Sequence, residues 1–285
     1  MLRTVAGLIV ALFAAGAVHA QALEGRLKRI AETKTINVGV RADAMPFSYM
    51  MAGGTPEGFM VDLCQRVVRS LASQLKLSEL KVSWVLVTVQ SRFDVVAKGN
   101  ADMECGASTI TLGRMKQVDF SSVTFVESTG LMVRSAAGVR SLSDLAGRKI
   151  AVVRGTSNER AVAAQVKRRQ LNATLVQVAS GDEAMAALES GKADAFASDR
   201  LLLIGAVSKA KDPRGLTLLA DQLSVEPYGI VLPRGDSALR LAVNTALAQI
   251  YGGGEIDEIV RRWFGQFGPP PAILDAAYLL GSFPE

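Results

Sequence analysis

The chain has 285 residues and a formal net charge of +5, with 49% apolar and 21% charged residues, the profile of a globular protein with full hydrophobic cores. Its basic residues are dispersed, apart from Lys167-Arg168-Arg169, which reads as a solvated helix face, so nucleic acid is not an expected partner. The single histidine, His19, lies in the N-terminal leader; once the leader is removed, Ser-His and Cys-His nucleophiles and His-containing metal sites are excluded.

Arg3, the apolar run from Val5 to Val18 and the small-residue site Val18-His19-Ala20 read as a secretory signal peptide over residues 1–20, removed after about Ala20. The run is too short for a stable membrane span and no basic stop-transfer flank follows it. No cysteine stands at the cleavage point to carry a lipid anchor. About 265 residues then remain, with a net charge of +4 because only Arg3 is lost. That length suits two domains. In an oxidising compartment Cys64 and Cys105 form either one disulfide or two buried thiols, since both sit in apolar patterns.

Residues 22–34 suggest a short amphipathic helix, and Thr35 to Arg41 alternates as a strand. A loop with Pro46, Phe47 and Tyr49 precedes an apolar helix over 59–75. A strand over 81–87 and a short helix over 92–98 lead to Met103 and Cys105, a short buried strand. Gly106, Ala107, Ser108 and Thr109 follow, and Thr111 is expected to open a helix with Arg114 in its first turn. Such a strand end running through small residues into a helix start would offer a ligand free N–H groups and a positive dipole end. An extended segment over 123–133, a short helix over 141–146 and a strand over 149–153 come next. A helix opening at Gly155 and ending near Gln170 precedes regular alternation: strand 174–179, helix 182–190, strand 193–198, helix 199–210. Strands near 216–219 and 225–232 and helices near 236–250 and 255–263 complete the core. The tail from Pro269 shows little periodicity and is expected to drape over the surface. This alternation means α/β layers with mainly parallel sheets.

Val95 to Met103 echoes Ala187 to Ala195: each reads as a helix end, a Gly cap and then Ala-Asp entering a strand. The repeat suggests two similar lobes, and it places Asp199 beyond the second strand where Ala107 and Ser108 lie beyond the first. Strand ends of parallel sheets are where α/β proteins build ligand sites. Arg41, Arg92, Arg114 and Asp199 all fall at strand ends or helix starts, a set that suits a zwitterion carrying a second carboxylate. Isolated surface charges would look the same. Thr156-x-x-Glu159 is a capping box as well as a candidate donor, whereas Ser180-x-x-Glu183 is read as a cap alone. Phe47 and Tyr49 are candidates either to cover a ligand's hydrocarbon stem or to pack in the core.

Thr109-Ile-Thr-Leu-Gly-Arg-Met-Lys-Gln-Val-Asp-Phe-Ser121 resembles the signature of periplasmic solute-binding proteins for polar amino acids (family 3). The loop Asp43–Tyr49, Ser141-Leu-Ser-Asp-Leu-Ala-Gly147 and Gly191-Lys-Ala-Asp-Ala-Phe-Ala-Ser-Asp199 extend the resemblance over nearly all of the mature chain. Glu104-Cys-Gly106, Gln90-Ser-Arg92, Leu188-Glu-Ser-Gly191 and Arg262-Trp-Phe264 are most similar to the glutamate/aspartate-binding branch. The resemblance implies a type II periplasmic-binding-protein fold, two α/β lobes joined by crossing strands around 124–133 and 224–232. Residues 21–127 with 227–285 would form lobe 1, and 128–226 lobe 2. It also implies that Arg114 and Thr109 hold an α-carboxylate, Asp199 an ammonium, and Arg41 with Arg92 a side-chain carboxylate. Ala107 and Thr156 would complete the binding set, with Ser108 and Ser157 as further wall positions.

The chain departs from that branch at three positions. Val89 and Ala107 replace serines, and Gly181 falls where the branch has a pocket histidine. Both arginines remain, so an acidic amino acid is the first ligand expected, with another polar amino acid or a dicarboxylate as the alternative. The signal peptide makes a periplasmic protein the expectation, with a monomer as the default and no cofactor or metal. Hinge closure on a small ligand is the expected mechanism, and the resemblance implies delivery to an ABC-type permease. A dehydratase-like enzyme on the same fold is a rival reading, with Glu104 and Glu127 as its candidate acid or base. A sensory ligand-binding protein that docks on a receptor is another.

Overall fold

A computed structural model describes residues 23–284; the leader assigned to residues 1–20 lies outside them. The strand Thr35–Arg41 buries Ile36, Val38 and Val40 on one face, as strict alternation requires. It is the second strand of a five-stranded sheet. Lys81–Val87 pairs with it in parallel along its whole length, and Met103–Glu104 pairs in parallel on its other side. Val231–Pro233 and then Val118–Phe120 complete the sheet, Val231–Pro233 running antiparallel to both of its neighbours. The helix Phe59–Gln74 buries nine side chains against this layer, with Ser237–Gly252 and Glu255–Phe264 packed beside it.

A second sheet repeats this order. Lys149–Val153 lies between Thr174–Val178 and Ala195–Asp199, both parallel to it, followed by antiparallel Thr129–Arg134 and Leu216–Leu218. Leu131 and Val133 pack into one apolar cluster while Met132 packs into another, so the sheet is covered on both faces. The sequence echo has a structural counterpart. Gly99 and Gly191 both take positive φ, +89° and +76°. Asp102 then accepts from Asn37 N at 2.7 Å, as Asp194 accepts from Lys149 N at 2.9 Å. Each aspartate ties the third parallel strand of its sheet to the first.

Two segments cross between the sheets. Phe125–Glu127 and Glu226–Tyr228 run antiparallel, with Glu127 opposite Glu226. The two-lobed type II architecture is therefore the one observed. Cys64 and Cys105 are joined by a disulfide between the helix Phe59–Gln74 and the end of the first sheet's third strand.

Two local expectations are corrected. The tail is not irregular: Ala272–Gly281 is a helix that buries Leu274 and Tyr278, and the Tyr278 hydroxyl donates to Thr124 O at 3.1 Å. Pro269–Pro271 stand just outside its first turn, where proline is tolerated. The exposed Leu279 and Leu280 blur its periodicity. No helix opens at Thr111 either. Only a single 3-10 turn forms, Arg114–Lys116, with Thr111 Oγ1 accepting from Arg114 N at 3.2 Å. One such turn carries no appreciable macrodipole, so the charge of Arg114 itself replaces the dipole expected there.

Candidate ligand cleft

The carboxyl ends of the parallel strands in both sheets face one cleft. From the first sheet come Arg41 at a strand end, Arg92 at a helix start, and Ala107 and Thr109. The second sheet contributes Thr156, Ser157 and Asn158, then Gly181 and Asp182, and finally Ser198 and Asp199. Each group lies just beyond its strand because backbone pairing ends there and side chains turn toward the opposing sheet.

The arginines dominate the electrostatics. All three are buried, Arg41 at 5% exposure, Arg92 at 3% and Arg114 at 8%. Of these three arginines only Arg41 is ion-paired with a described residue, its Nε reaching Asp43 Oδ1 at 2.7 Å. Arg92 donates through Nη1 to Ala107 O at 3.3 Å, while its Nε has no partner. Arg114 donates through Nη1 to Thr109 O at 2.7 Å, while its Nη2 has no partner. The Phe93 ring lies 4.8 Å from the Arg92 guanidinium and 5.0 Å from that of Arg114. It gives both cations an aromatic face but no hydrogen-bond acceptor. Burial, followed by repulsion from Arg114 and Arg41, pushes Arg92 down to about 9. Burial, followed by Arg160, brings Arg114 to about 10. Buried cations with unused donors at hydrogen-bonding sites favour an anion.

A compensating acid sits opposite. Asp199 is 4% exposed and accepts from Asn158 Nδ2 at 3.0 Å. Burial first, and then the Glu226 carboxylate, raise it to about 6. The same Asn158 amide donates to Thr129 Oγ1 at 2.9 Å, which fixes its orientation. Thr156 caps the helix Ser157–Arg168, its Oγ1 accepting from Glu159 N at 3.1 Å, and also lines the cleft. The capping and lining readings of Thr156 are therefore compatible.

The side chains of Phe47, Tyr49 and Ser108 do not line the cleft. Phe47 is completely buried among Phe59, Phe125, Tyr228 and Phe264. This is core packing, favoured because the first sheet's apolar face has room for the ring. Tyr49 leans on Trp263 with its hydroxyl toward Glu57. Ser108 is buried beneath the cleft and donates to Glu104 Oε2 at 2.8 Å.

A family model for bacterial extracellular solute-binding proteins, family 3, matches residues 36–266. The chain belongs to that family. The L-glutamate/L-aspartate-binding protein of Pseudomonas aeruginosa is 37% identical over 266 residues, covering 93% of this chain and 88% of that one. The glutamate/aspartate import solute-binding protein of Salmonella typhimurium is 30% identical, over 94% of this chain and 89% of that one. Among solved structures, an ancestral amino acid-binding protein described as a precursor of cyclohexadienyl dehydratase superposes with a TM-score of 0.72. It is 27% identical and matches 84% of this chain and all of that one. No helix among the described residues of this solute-binding protein is long and apolar enough to cross a membrane.

Sequence reasoning did not single out Asn158, Asp182, Met45, Phe196 or Lys209 as lining residues of this solute-binding protein. Asn158 had a legible signal, an amide in the first turn of a helix that follows a strand end. The others enter only because the two sheets face each other. Val89, Ala107 and Gly181, the three departures from the branch pattern, all line the cleft. Val89 also packs in one apolar cluster with Val153 and Phe196 of the second sheet.

Proposed function

We propose that this solute-binding protein captures L-glutamate or L-aspartate by closure of the cleft and delivers it to an ABC-type permease. The observation that carries the reading is that Arg41 and Arg92 line one cleft with Asp199, while Arg114 is buried behind Thr109 on the same Phe93 ring as Arg92, with Arg92 Nε and Arg114 Nη2 left unused. Arg114 and Thr109 hold the α-carboxylate, and Asp199, steadied by Asn158, holds the ammonium. Arg92 and Arg41 receive the second carboxylate, and Ala107 and Thr156 close the polar lining. Micromolar affinity corresponds to about −8 kcal/mol, within reach of a few desolvated charge-assisted hydrogen bonds. The two relatives above that are named for glutamate and aspartate support the same choice.

The lobes divide at the crossing strands, with 21–127 and 227–285 in one and 128–226 in the other. The protein works as a periplasmic monomer after cleavage near Ala20. Binding without turnover is favoured by the placement of the two candidate acids. Glu104 lies beneath the cleft behind Ser108. Glu127 sits in the crossing strands and accepts from Ser128 N and Leu201 N.

Calorimetry on refolded, ligand-stripped protein tests the reading, with L-glutamine as neutral control. Micromolar or tighter binding of the acids, with weaker binding of glutamine, supports it. Preference for glutamine, or binding of none of the three, overturns the named ligand.

A further inference from the structure

Gly205 lies on the helix Arg200–Val207, whose N-cap residue is Asp199. Met45 lies two residues beyond Asp43, the partner of Arg41. These two positions belong to opposite lobes, and they touch. A Cβ built on Gly205 would stand 2.8 Å from the Met45 carbonyl carbon and closer still to its oxygen. Carbon atoms essentially never approach so closely, and the obstacle is backbone rather than a yielding side-chain tip. Ser208 Oγ, one turn further along, lies 3.7 Å from Met45 Sδ, and both Met45 and Gly205 line the cleft. Gly205 is helical with ordinary φ, so backbone conformation does not require glycine there. In a helix interior, glycine is the less stable choice relative to alanine.

From this we infer that Gly205 is a positioning residue for closure: the missing side chain lets the second lobe seat on the Met45 carbonyl and seal the cleft. The inference rests on the proposed closure around a ligand. It assigns to Gly205 a role that Arg41 and Asp199, a few residues away on either side of the contact, cannot fill. The three atoms nearest that Cβ all belong to Met45, so parting the lobes removes the closest obstacle to a methyl group at 205.

The test is Gly205→Ala in the full mature chain, with three readings. The Kd for L-glutamate should rise at least tenfold. The melting temperature of the unliganded protein should be equal or higher, because alanine is the better helix former. The third reading needs no ligand. Gln90 Nε2 donates to Ala179 O at 3.0 Å across the lobes, so a Gln90→Cys, Ala179→Cys pair reports closure by its rate of cross-linking with a short bis-maleimide. That rate should fall at least fivefold when Gly205→Ala is added.

Cross-linking at the unmodified rate overturns the inference, as does an unchanged Kd. A lowered melting temperature of the unliganded variant also overturns it, by marking Gly205 as a residue of the fold. If the parent protein binds neither acid while the substitution still slows cross-linking, the ligand assignment falls and the closure contact stands.

Discussion

Thr109 Oγ1 and Ser157 Oγ lie 2.9 Å apart, hydrogen-bonded across the cleft from strand ends of different sheets. Thr109 also presents its carbonyl to Arg114, and Ser157 is the first residue of the helix capped by Thr156. The pair thus couples the Arg114 side of the first sheet to a helix start that follows a strand of the second.

Ser157→Ala removes that bond and leaves the cap intact. A neutral hydrogen bond is worth about 1 kcal/mol net, so the Kd for L-glutamate should rise roughly five-fold. The melting temperature of the unliganded protein should hardly change. Calorimetry and thermal denaturation on the same preparation check both.

Arg92→Met separates function from stability. The methionine stem fills most of the same space without leaving a buried cation short of acceptors, so the unliganded protein should melt at a higher temperature. Binding of L-glutamate should weaken by at least a hundredfold, since about 3 kcal/mol of charge-assisted hydrogen bonding is lost. L-Glutamine should lose less.

Two buried acids give stability and ligand binding opposite dependences on pH. Burial and then Asp199 raise Glu127 to about 8, and Asp199 itself stands at about 6. Both folded values exceed the unfolded ones of 4.5 and 3.8. The folded state therefore binds more protons than the unfolded chain between about pH 4 and 8, and unliganded stability falls as pH rises through that window. Melting should occur at a higher temperature at pH 5 than at pH 8, and Glu127→Gln should shrink the difference. Ligand binding runs the other way. Below about pH 6 Asp199 becomes protonated and loses its hold on an ammonium, so the affinity for L-glutamate should drop by up to tenfold per unit.

The disulfide links Cys64 to Cys105, 41 residues apart, and both are completely buried. A loop of that length corresponds to about 4 kcal/mol of destabilisation when the link is removed, on the chain-entropy model. The double substitution Cys64→Ala, Cys105→Ala should lower the denaturant midpoint accordingly. Ligand affinity should move little, because neither cysteine lines the cleft.

Most of the architecture is legible along the chain. Strands such as Thr35–Arg41 and helices such as Phe59–Gln74 announce themselves through periodicity, a property of neighbouring residues. The Gly-x-Ala-Asp echo is equally local and exposes the duplicated sheet order. Arg41 and Asp199 stand out because a charged residue at the end of an apolar strand has to leave the core. The tail helix is less legible, since only Leu274, Tyr278 and Gly281 face inward.

What the linear order does not contain is the pairing of one lobe's edge with the other's. Phe47 is apolar whether it meets a ligand or a core, and only the surrounding Phe59, Phe125, Tyr228 and Phe264 settle that it joins the core. Asn158 gains its meaning from Asp199, Ser157 from Thr109, and Gly205 from Met45, partners between 41 and 160 residues away. Composition and periodicity specify elements because the forces involved act within a few residues. The cleft depends on where two separately packed sheets come to rest against each other, which is set by packing and backbone clearance across the whole molecule.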